Sequence, residues 1–263
     1  MPLKRLKFTG DYTVSNIRNF IIILLLILVS NIIKSNYNPM NDDMLYIPYI
    51  LIALLTLITQ GYGLLVTKDT MYEGTKLPDI KIWKSIVLGI KSFIVVIIYS
   101  SIQITVFSLV ADIFDFPYIQ IGEGTIHLEN ISTLFYNHGS VDTILFAIFV
   151  IVVMYTFTFF MEISLARLAD KEKLSSALNI LSIGKCINTI GWIHYASDYT
   201  KLIMAIAILA YIKYGMDFIL VDNIIMDLII GVLIFIIQFI GIGAIYKEYK
   251  IKSAMQSKDK QRF

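Results

Sequence analysis

Long apolar runs divide the chain, and charged or polar residues bound each of them. Runs such as Met44 to Thr67 and Ser92 to Ala111 contain no charged residue and lack the alternation of a barrel strand. About 20 residues of helix cross the hydrocarbon core, where an α-helix satisfies its own backbone. The pattern predicts an all-α integral membrane bundle, one domain over 1–263, with about six transmembrane helices. We place them approximately at 17–35, 45–67, 86–110, 141–165, 195–215 and 224–247.

The basic residues indicate how these helices are oriented. All of the 22 lysine and arginine residues except Lys34 and Lys213 fall in segments that six crossings place on one side. Because cytoplasmic loops carry an excess of lysine and arginine, that side is the cytoplasm. Both termini are therefore predicted to be cytoplasmic, in a multi-pass protein of the cell (plasma) membrane.

Two cytoplasmic segments, approximately 79–86 and 172–183, have the pattern of amphipathic helices that lie in the membrane interface. Apolar residues recur there at helical spacing: Trp83, Ile86, Val87 and Ile90 in the first, and Leu174, Ala177, Leu178 and Leu181 in the second. Lysines flank the first segment and would attract anionic lipid. The alternative is that both are loop helices packed against the bundle.

The predicted outer loop, 112–142, carries five acidic residues and neither lysine nor arginine. Its alternating residues on both sides of Gly122-Glu123-Gly124 predict a small β-hairpin. Asn130 begins an Asn-Ile-Ser sequence, which makes it a candidate glycosylation site. His127 and His138 lie near two glutamates, but unliganded surface residues are the simpler interpretation.

Composition strengthens the membrane assignment and excludes other classes. Hydrophobic residues make up 57% of the chain and charged residues 16%, with a mean hydropathy of +0.74. Ordinary soluble domains are about half apolar and a quarter charged. A soluble enzyme, a nucleic-acid-binding module and a disordered protein are excluded. The single cysteine, Cys186, permits no intramolecular disulfide.

Charged residues in or near the spans are the candidate functional residues, because such groups are expensive in a bilayer. If the fifth helix begins near Trp192, Asp198 and Lys201 are buried as a pair; if it begins near Lys201, Lys213 and Asp217 approach the midplane. Either pair could line a polar cavity, whereas the alternative is a structural pair with Lys213 reaching the outer surface. Two further candidates lie at the end of the fourth span, where helix anchoring would also explain them: Glu162 and Arg167.

Recognisable catalytic and cofactor-binding motifs are missing from the sequence. It has no His-Glu-x-x-His, no Gly-x-Ser-x-Gly and no Gly-x4-Gly-Lys. The three histidines, 127, 138 and 194, fall on opposite sides of the predicted membrane and cannot cluster. We therefore expect no catalytic residue, no metal site, no cofactor and no enzymatic activity.

Several stretches resemble an uncharacterised prokaryotic multi-pass membrane family, domain of unknown function 4013, common in methanogenic archaea. They run in order from the second span to the fifth: Gly61-Tyr62-Gly63-Leu64-Leu65 with Lys68, Leu77-Pro78-Asp79, Gly89-Ile90-Lys91, Leu165-Ala166-Arg167-Leu168-Ala169-Asp170, Ala177-Leu178-Asn179-Ile180 and Gly191-Trp192. The chain departs from the family pattern at Ile80-Lys81-Ile82, before Trp83. The resemblance implies an archaeal plasma-membrane protein and supplies no activity and no functional residues.

Two functional hypotheses follow. The first is a non-catalytic scaffold or assembly subunit whose cytoplasmic surface helices bind membrane lipids or a protein partner. The second is a small-solute or ion transporter that uses the charges around the fifth span. A parallel duplication of span, surface helix and span would fit the second hypothesis. Nucleic acid is not an expected partner, and the sequence leaves the substrate and the oligomeric state open.

Overall fold

The computed structural model of the chain describes residues 17–36, 46–74, 77–113, 140–220 and 224–260. Within these residues every regular element is an α-helix. In chain order the helices are α1 (Ile17–Asn36), α2 (Tyr46–Met71), α3 (Ile82–Ile113), α4 (Ser140–Lys171), α5 (Leu174–Leu178), α6 (Ile180–Ile190), α7 (Trp192–Leu220) and α8 (Ile224–Lys260).

Each of the six predicted spans falls within a long helix, and the all-α prediction is confirmed. Five helices, α2, α3, α4, α7 and α8, are long and apolar enough to cross a membrane. The first predicted span is the 20-residue α1, which includes the apolar residues Ile21–Ser30. The fifth helix begins at Trp192, which is the first of its two predicted registers.

The prediction of a separate surface helix over 79–86 differs from the structure. Residues 82–113 form one continuous helix, α3, and residues 77–81 before it have no regular secondary structure. Two glycines bring the start of α3 against α2: an added Cβ at Gly61 would lie 1.7 Å from the carbonyl oxygen of Ser85, and one at Gly89 would lie 2.0 Å from that of Leu57. The start of α3 therefore packs on the bundle.

The predicted surface helix over 172–183 is divided in the structure into α5 and α6. Asn179 is extended between them, with φ −79° and ψ 94°, and its side chain accepts a hydrogen bond from the backbone N–H of Ser182. Asparagine favours this capping arrangement because its side-chain oxygen satisfies a free N–H at a helix start. A new helix with a different buried face therefore begins at Ile180.

The core of the fold lies around α8, which packs against α1, α2, α6 and α7. Its buried residues include Val232, Phe239 and Tyr246. Facing it, Thr67 on α2 donates a hydrogen bond to the carbonyl oxygen of Phe239 at 2.9 Å. The chain divides into two compact units, residues 1–95 with 162–263, and residues 96–161. All the contacts described below lie within the first unit.

Most of the predicted outer loop falls outside the described residues. The β-hairpin, the candidate glycosylation site Asn130 and the histidines at 127 and 138 all lie between residues 114 and 139. These predictions stay predictions.

Candidate functional site

Three lysines contact Glu172 at one end of the first unit. We call this end, which includes Lys68, Lys84, Lys91 and Glu172, the basic end. Its Oε1 lies 2.7 Å from the Nζ atoms of both Lys68 and Lys84. Lys91 donates a hydrogen bond to its backbone carbonyl oxygen, also at 2.7 Å. One residue thus joins the end of α2, the start of α3 and the end of α4.

The backbone of Glu172 is strained, with φ +55°. This left-handed conformation follows the end of a helix, where glycine is usual because it has no Cβ. Partial burial alone would raise the pKa of the Glu172 carboxyl, but hydrogen bonds and charges from Lys68 and Lys84 outweigh burial and lower the pKa. The ion pairs explain why a glutamate occupies this position.

Asp170 forms a second junction at the basic end. Its Oδ1 accepts hydrogen bonds from Lys250 at 2.8 Å and from the Tyr72 hydroxyl at 2.9 Å. The Lys250 ammonium also lies 3.4 Å from the centroid of the Tyr72 ring, close enough for a cation–π contact. Asp170 therefore ties α4 to α8 and to the residue that follows α2.

Arg167 fastens α5 and α6 to α4. Its Nε donates to the carbonyl oxygen of Ser176 at 2.8 Å, and its Nη1 lies 3.0 Å from the Cys186 sulfur. Ser164, one turn earlier, donates to the carbonyl oxygen of Ala177. The predicted role of Arg167 was anchoring, and in the structure it anchors a neighbouring segment of the chain.

The helix α6 buries one side and exposes the other. Ile183, Cys186, Ile187 and Ile190 are buried, whereas Ile180 and Leu181 are 73% and 79% exposed. Lys252 on α8 donates a hydrogen bond to the carbonyl oxygen of Ile190, which places a cation at the end of α6. The structure therefore agrees with the alternative in which this segment packs against the bundle, although apolar residues remain on its outer side.

Glu162 lies in the interior of the bundle. Its Oε1 accepts a hydrogen bond from the Gln238 amide at 3.1 Å, and its Oε2 is buried without a hydrogen-bond partner among the described residues. The carboxyl lines a narrow crevice with five other side chains from α4, α7 and α8: Ile163, Tyr195, Tyr199, Ile242 and Ile245. Of the residues predicted to be intramembrane candidates, Glu162 is the one the structure surrounds with core side chains.

The other predicted charges lie along α7. Asp198 and Lys201 form the predicted pair, with Oδ1 and Nζ 3.0 Å apart; the Asp198 side chain is 9% exposed and that of Lys201 is 66% exposed. Lys213 is half-buried further along α7. Asp217 lies on the same helix, but its side chain is outside the described residues. The structure shows the first pair, whereas the second lies partly outside the described residues.

Sequence reasoning missed two features of the basic end. It overlooked Glu172, because nothing in the local sequence marks one carboxylate as the partner of two lysines that lie 88 and 104 residues away. It also considered only whether His194 could cluster with the other two histidines. In the structure His194, Asp198 and Glu248 each offer a ligand atom, all within 4.8 Å of one another. The i, i+4 spacing of His194 and Asp198 on one helix was the signal available.

The chain matches no curated protein and no solved structure. A family model does match it, over residues 44–246, which is most of the chain and includes α2 to α7 and the Glu172 and Arg167 contacts. Among the residues that carried the resemblance, Gly61 and Gly89 lie where α2 meets α3, and Lys68 and Lys91 contact Glu172 after α4. The chain belongs to the family described as protein of unknown function DUF4013.

Proposed function

We propose that this protein is a non-catalytic membrane scaffold or assembly subunit that binds anionic lipid headgroups or a protein partner through its basic end. The observation that carries the proposal is the outer side of α6. Ile180 and Leu181 are exposed there while the opposite side of the same helix is buried. A helix held in this way cannot turn its exposed apolar residues inward, so they are available for contact.

Other exposed residues on the predicted cytoplasmic side have the same character. Ile193, at the start of α7, is 87% exposed. Lys185, on α6, is also exposed. Trp83, near the start of α3, is also exposed. Aromatic and aliphatic side chains beside lysines are typical of a surface in the headgroup region, where each lysine contributes about 1 kcal/mol of attraction to anionic lipid.

The proposal places the protein in the plasma membrane with both termini in the cytoplasm. The excess of lysine and arginine on one side supports this orientation. The contacts of Glu172 and Asp170 give that side a rigid framework, because they join the ends of α2, α4 and α8. We assign no catalytic role to it.

The test is photo-crosslinking in native membranes from a photoreactive amino acid at position 181. The matched control is the same amino acid at position 255, because Met255 is also apolar and 59% exposed but lies on α8. We expect an adduct from position 181, with the mass of a phospholipid or of a discrete partner protein. Equal yields from the two positions would contradict the proposal.

Exposed-residue variants supply a second measurement. Ile180→Ser and Leu181→Ser should insert and unfold normally, because exposed side chains contribute little to stability. In lipid discs, both should lose the stabilisation that anionic lipid gives the unchanged protein. If stabilisation by lipid persists in the double variant, α6 is not the binding surface.

A second candidate function, a small-solute or ion transporter, is favoured by Glu162. A carboxylate with one unpartnered oxygen inside a helix bundle is costly, and such groups in membrane proteins commonly mark solute or proton paths. The crevice beside it is too narrow to hold a water molecule, so transport would need the helices to move apart.

Uptake into vesicles tests the transporter. Saturable uptake that is lost in Glu162→Gln, Lys213→Leu or Asp217→Asn would favour it. Glu73→Gln is the control, because that carboxylate is exposed and pairs with Lys247, and neither residue lines the crevice. Uptake that is unchanged in all three variants would exclude this second function.

A further inference from the structure

The start of α7 and the final part of α8 bring together a histidine and two carboxylates. His194 Nε2 lies 2.9 Å from Glu248 Oε2 and 3.7 Å from Asp198 Oδ2. His194 and Asp198 are one turn apart on α7, whereas Glu248 comes from α8. The group therefore crosslinks two of the packed helices of the bundle.

The geometry is close to that of a three-ligand metal site. Nitrogen and oxygen ligands lie about 2.0–2.2 Å from Zn²⁺, and so roughly 3.4 Å from one another in a tetrahedral site. The two separations from His194, 2.9 and 3.7 Å, lie on either side of that value, and all three ligand atoms lie within 4.8 Å of one another. Asp198 and Glu248 are mostly buried, which holds two ligands in place, while His194 is 56% exposed and keeps the site open to solvent.

The donor set selects the kind of cation. Ca²⁺ and Mg²⁺ prefer oxygen ligands throughout, whereas an imidazole nitrogen with two carboxylates suits Zn²⁺ and its first-row neighbours. Three protein ligands leave one position for water, as in an exchangeable site. The charges fit as well, because two carboxylates can balance a divalent ion.

Lys201 competes with a metal ion for the charge of Asp198. Its Nζ lies 3.0 Å from Asp198 Oδ1, and its side chain is 66% exposed, whereas Oδ2 of the same carboxylate faces His194. An exposed lysine on a flexible stem can leave a carboxylate at little cost, since exposed ion pairs contribute about 0–1 kcal/mol. A divalent cation bound through Oδ2 would repel the nearby Lys201 ammonium, which can move into solvent.

We propose that His194, Asp198 and Glu248 bind a divalent first-row transition-metal ion, with Zn²⁺ as the test ligand, and that the bound ion crosslinks α7 to α8. The site does not depend on the scaffold function. It explains why three polar side chains converge where the sequence alone suggested only a helical ion pair.

The experiment measures Zn²⁺ affinity and thermal unfolding of the full chain in lipid discs, purified without a histidine tag. A background in which His127 and His138 are alanine removes the other imidazoles. We expect one Zn²⁺ per chain and a rise of several degrees in Tm at saturating ion. His194→Ala and Glu248→Gln should each weaken affinity by more than about 100-fold, since changes outside the ligand set already cost 10–100-fold.

Lys201→Gln distinguishes a metal site from a group of ion pairs. If Lys201 competes with the metal, its removal should strengthen Zn²⁺ binding by up to about fivefold. If the three residues form only ion pairs, the same change should leave Zn²⁺ affinity where it was. Glu248→Gln keeps the size of the side chain, so it remains informative if His194→Ala fails to fold. Zn²⁺ affinity that is unaffected by Glu248→Gln, or the absence of a tight site, would overturn the proposal.

Discussion

At the residue scale, single polar side chains hold the helix ends together. Glu172 adopts a backbone conformation that favours glycine, and its carboxylate forms ion pairs with two lysine ammonium groups. Its side chain is about one third exposed, as is that of Lys68. The interaction is therefore stronger than a surface ion pair, yet solvent still screens it.

Replacing Glu172 by glutamine should destabilise the protein by about 1–2 kcal/mol. Hydrogen bonds to charged groups contribute about 1.5–3 kcal/mol, and partial exposure reduces that value. Thermal unfolding in lipid discs at pH 7 measures the change. The control is Glu73→Gln, whose carboxylate also pairs with a lysine but is 74% exposed; this change should have little effect. Equal effects of the two changes would show that burial of the Glu172 pairs is unimportant.

The same carboxylate predicts a pH dependence. The pKa of Glu172 is lower in the folded protein than its ordinary value of 4.5. Its stabilising contribution is therefore complete above the unfolded-state pKa and is lost as pH falls through the lower folded-state pKa. The difference in Tm between the unchanged protein and Glu172→Gln should be constant near neutral pH and shrink at pH values below 4.5. A difference that stays constant into strong acid would contradict the assignment.

Gly61 is predicted to be important for the stability of the fold, because α2 crosses α3 at this residue. A Cβ at this position would lie 1.7 Å from a backbone oxygen that a side-chain rotation cannot move. Gly61→Ala should therefore destabilise the fold by about 1–3 kcal/mol, the usual cost of overpacking. Gly184→Ala is the matched control, because a Cβ there meets nothing within 4 Å. The control should raise stability by up to about 1 kcal/mol through helix propensity.

At the element scale, α5 and α6 form a separate short segment that Arg167 holds against α4. The sequence predicted one amphipathic helix over 172–183, because its apolar residues recur at one helical period. Asn179 interrupts that period, and the new helix buries Ile183, Cys186, Ile187 and Ile190. Leu181, predicted to belong to the apolar face, is exposed as a result.

The single cysteine reports whether this segment stays attached. Cys186 is buried and lies 3.0 Å from Arg167 Nη1, so a maleimide should label it slowly in the unchanged protein. Arg167→Ala removes the contacts to Ser176 and Cys186, and we expect labelling to become at least about tenfold faster, corresponding to a loss of about 1.4 kcal/mol. Arg167→Lys should give an intermediate rate, because lysine lacks the planar fork. An unchanged rate in Arg167→Ala would show that packing alone holds α6.

At the scale of the whole molecule, five helices among the described residues are long and apolar enough to cross a membrane, and the predicted orientation places the basic end in the cytoplasm. Whether α1 also crosses decides on which side the N-terminus lies, because each crossing takes the chain to the other side. An even number of crossings keeps both termini on one side.

Cysteine accessibility tests the topology. In a Cys186→Ser background, a membrane-impermeant maleimide added to intact cells should label Asn130→Cys and spare Gln256→Cys, since these positions lie on opposite predicted sides. Permeabilised cells should label both. Labelling of Gln256→Cys in intact cells would reverse the orientation.

The sequence alone determined the class of the fold. Long charge-free runs dictate helices in a bilayer whatever their neighbours are, and so the six long helices could be located, although α8 continues to Lys260, well beyond the predicted end at residue 247. The sequence also indicated Asp198 with Lys201, because an i, i+3 pair depends only on helical geometry.

Only the tertiary structure decided which distant residues meet. The joining of Glu172 to lysines on α2 and α3, the crossing at Gly61 and Gly89, and the convergence of His194 with Glu248 all depend on how the helices pack. Hydrophobic periodicity identifies a helix but carries no information about its neighbour, since apolar side chains pack without directional preference. The candidate site therefore emerged from helix packing, with residues that are adjacent in space and far apart in the chain.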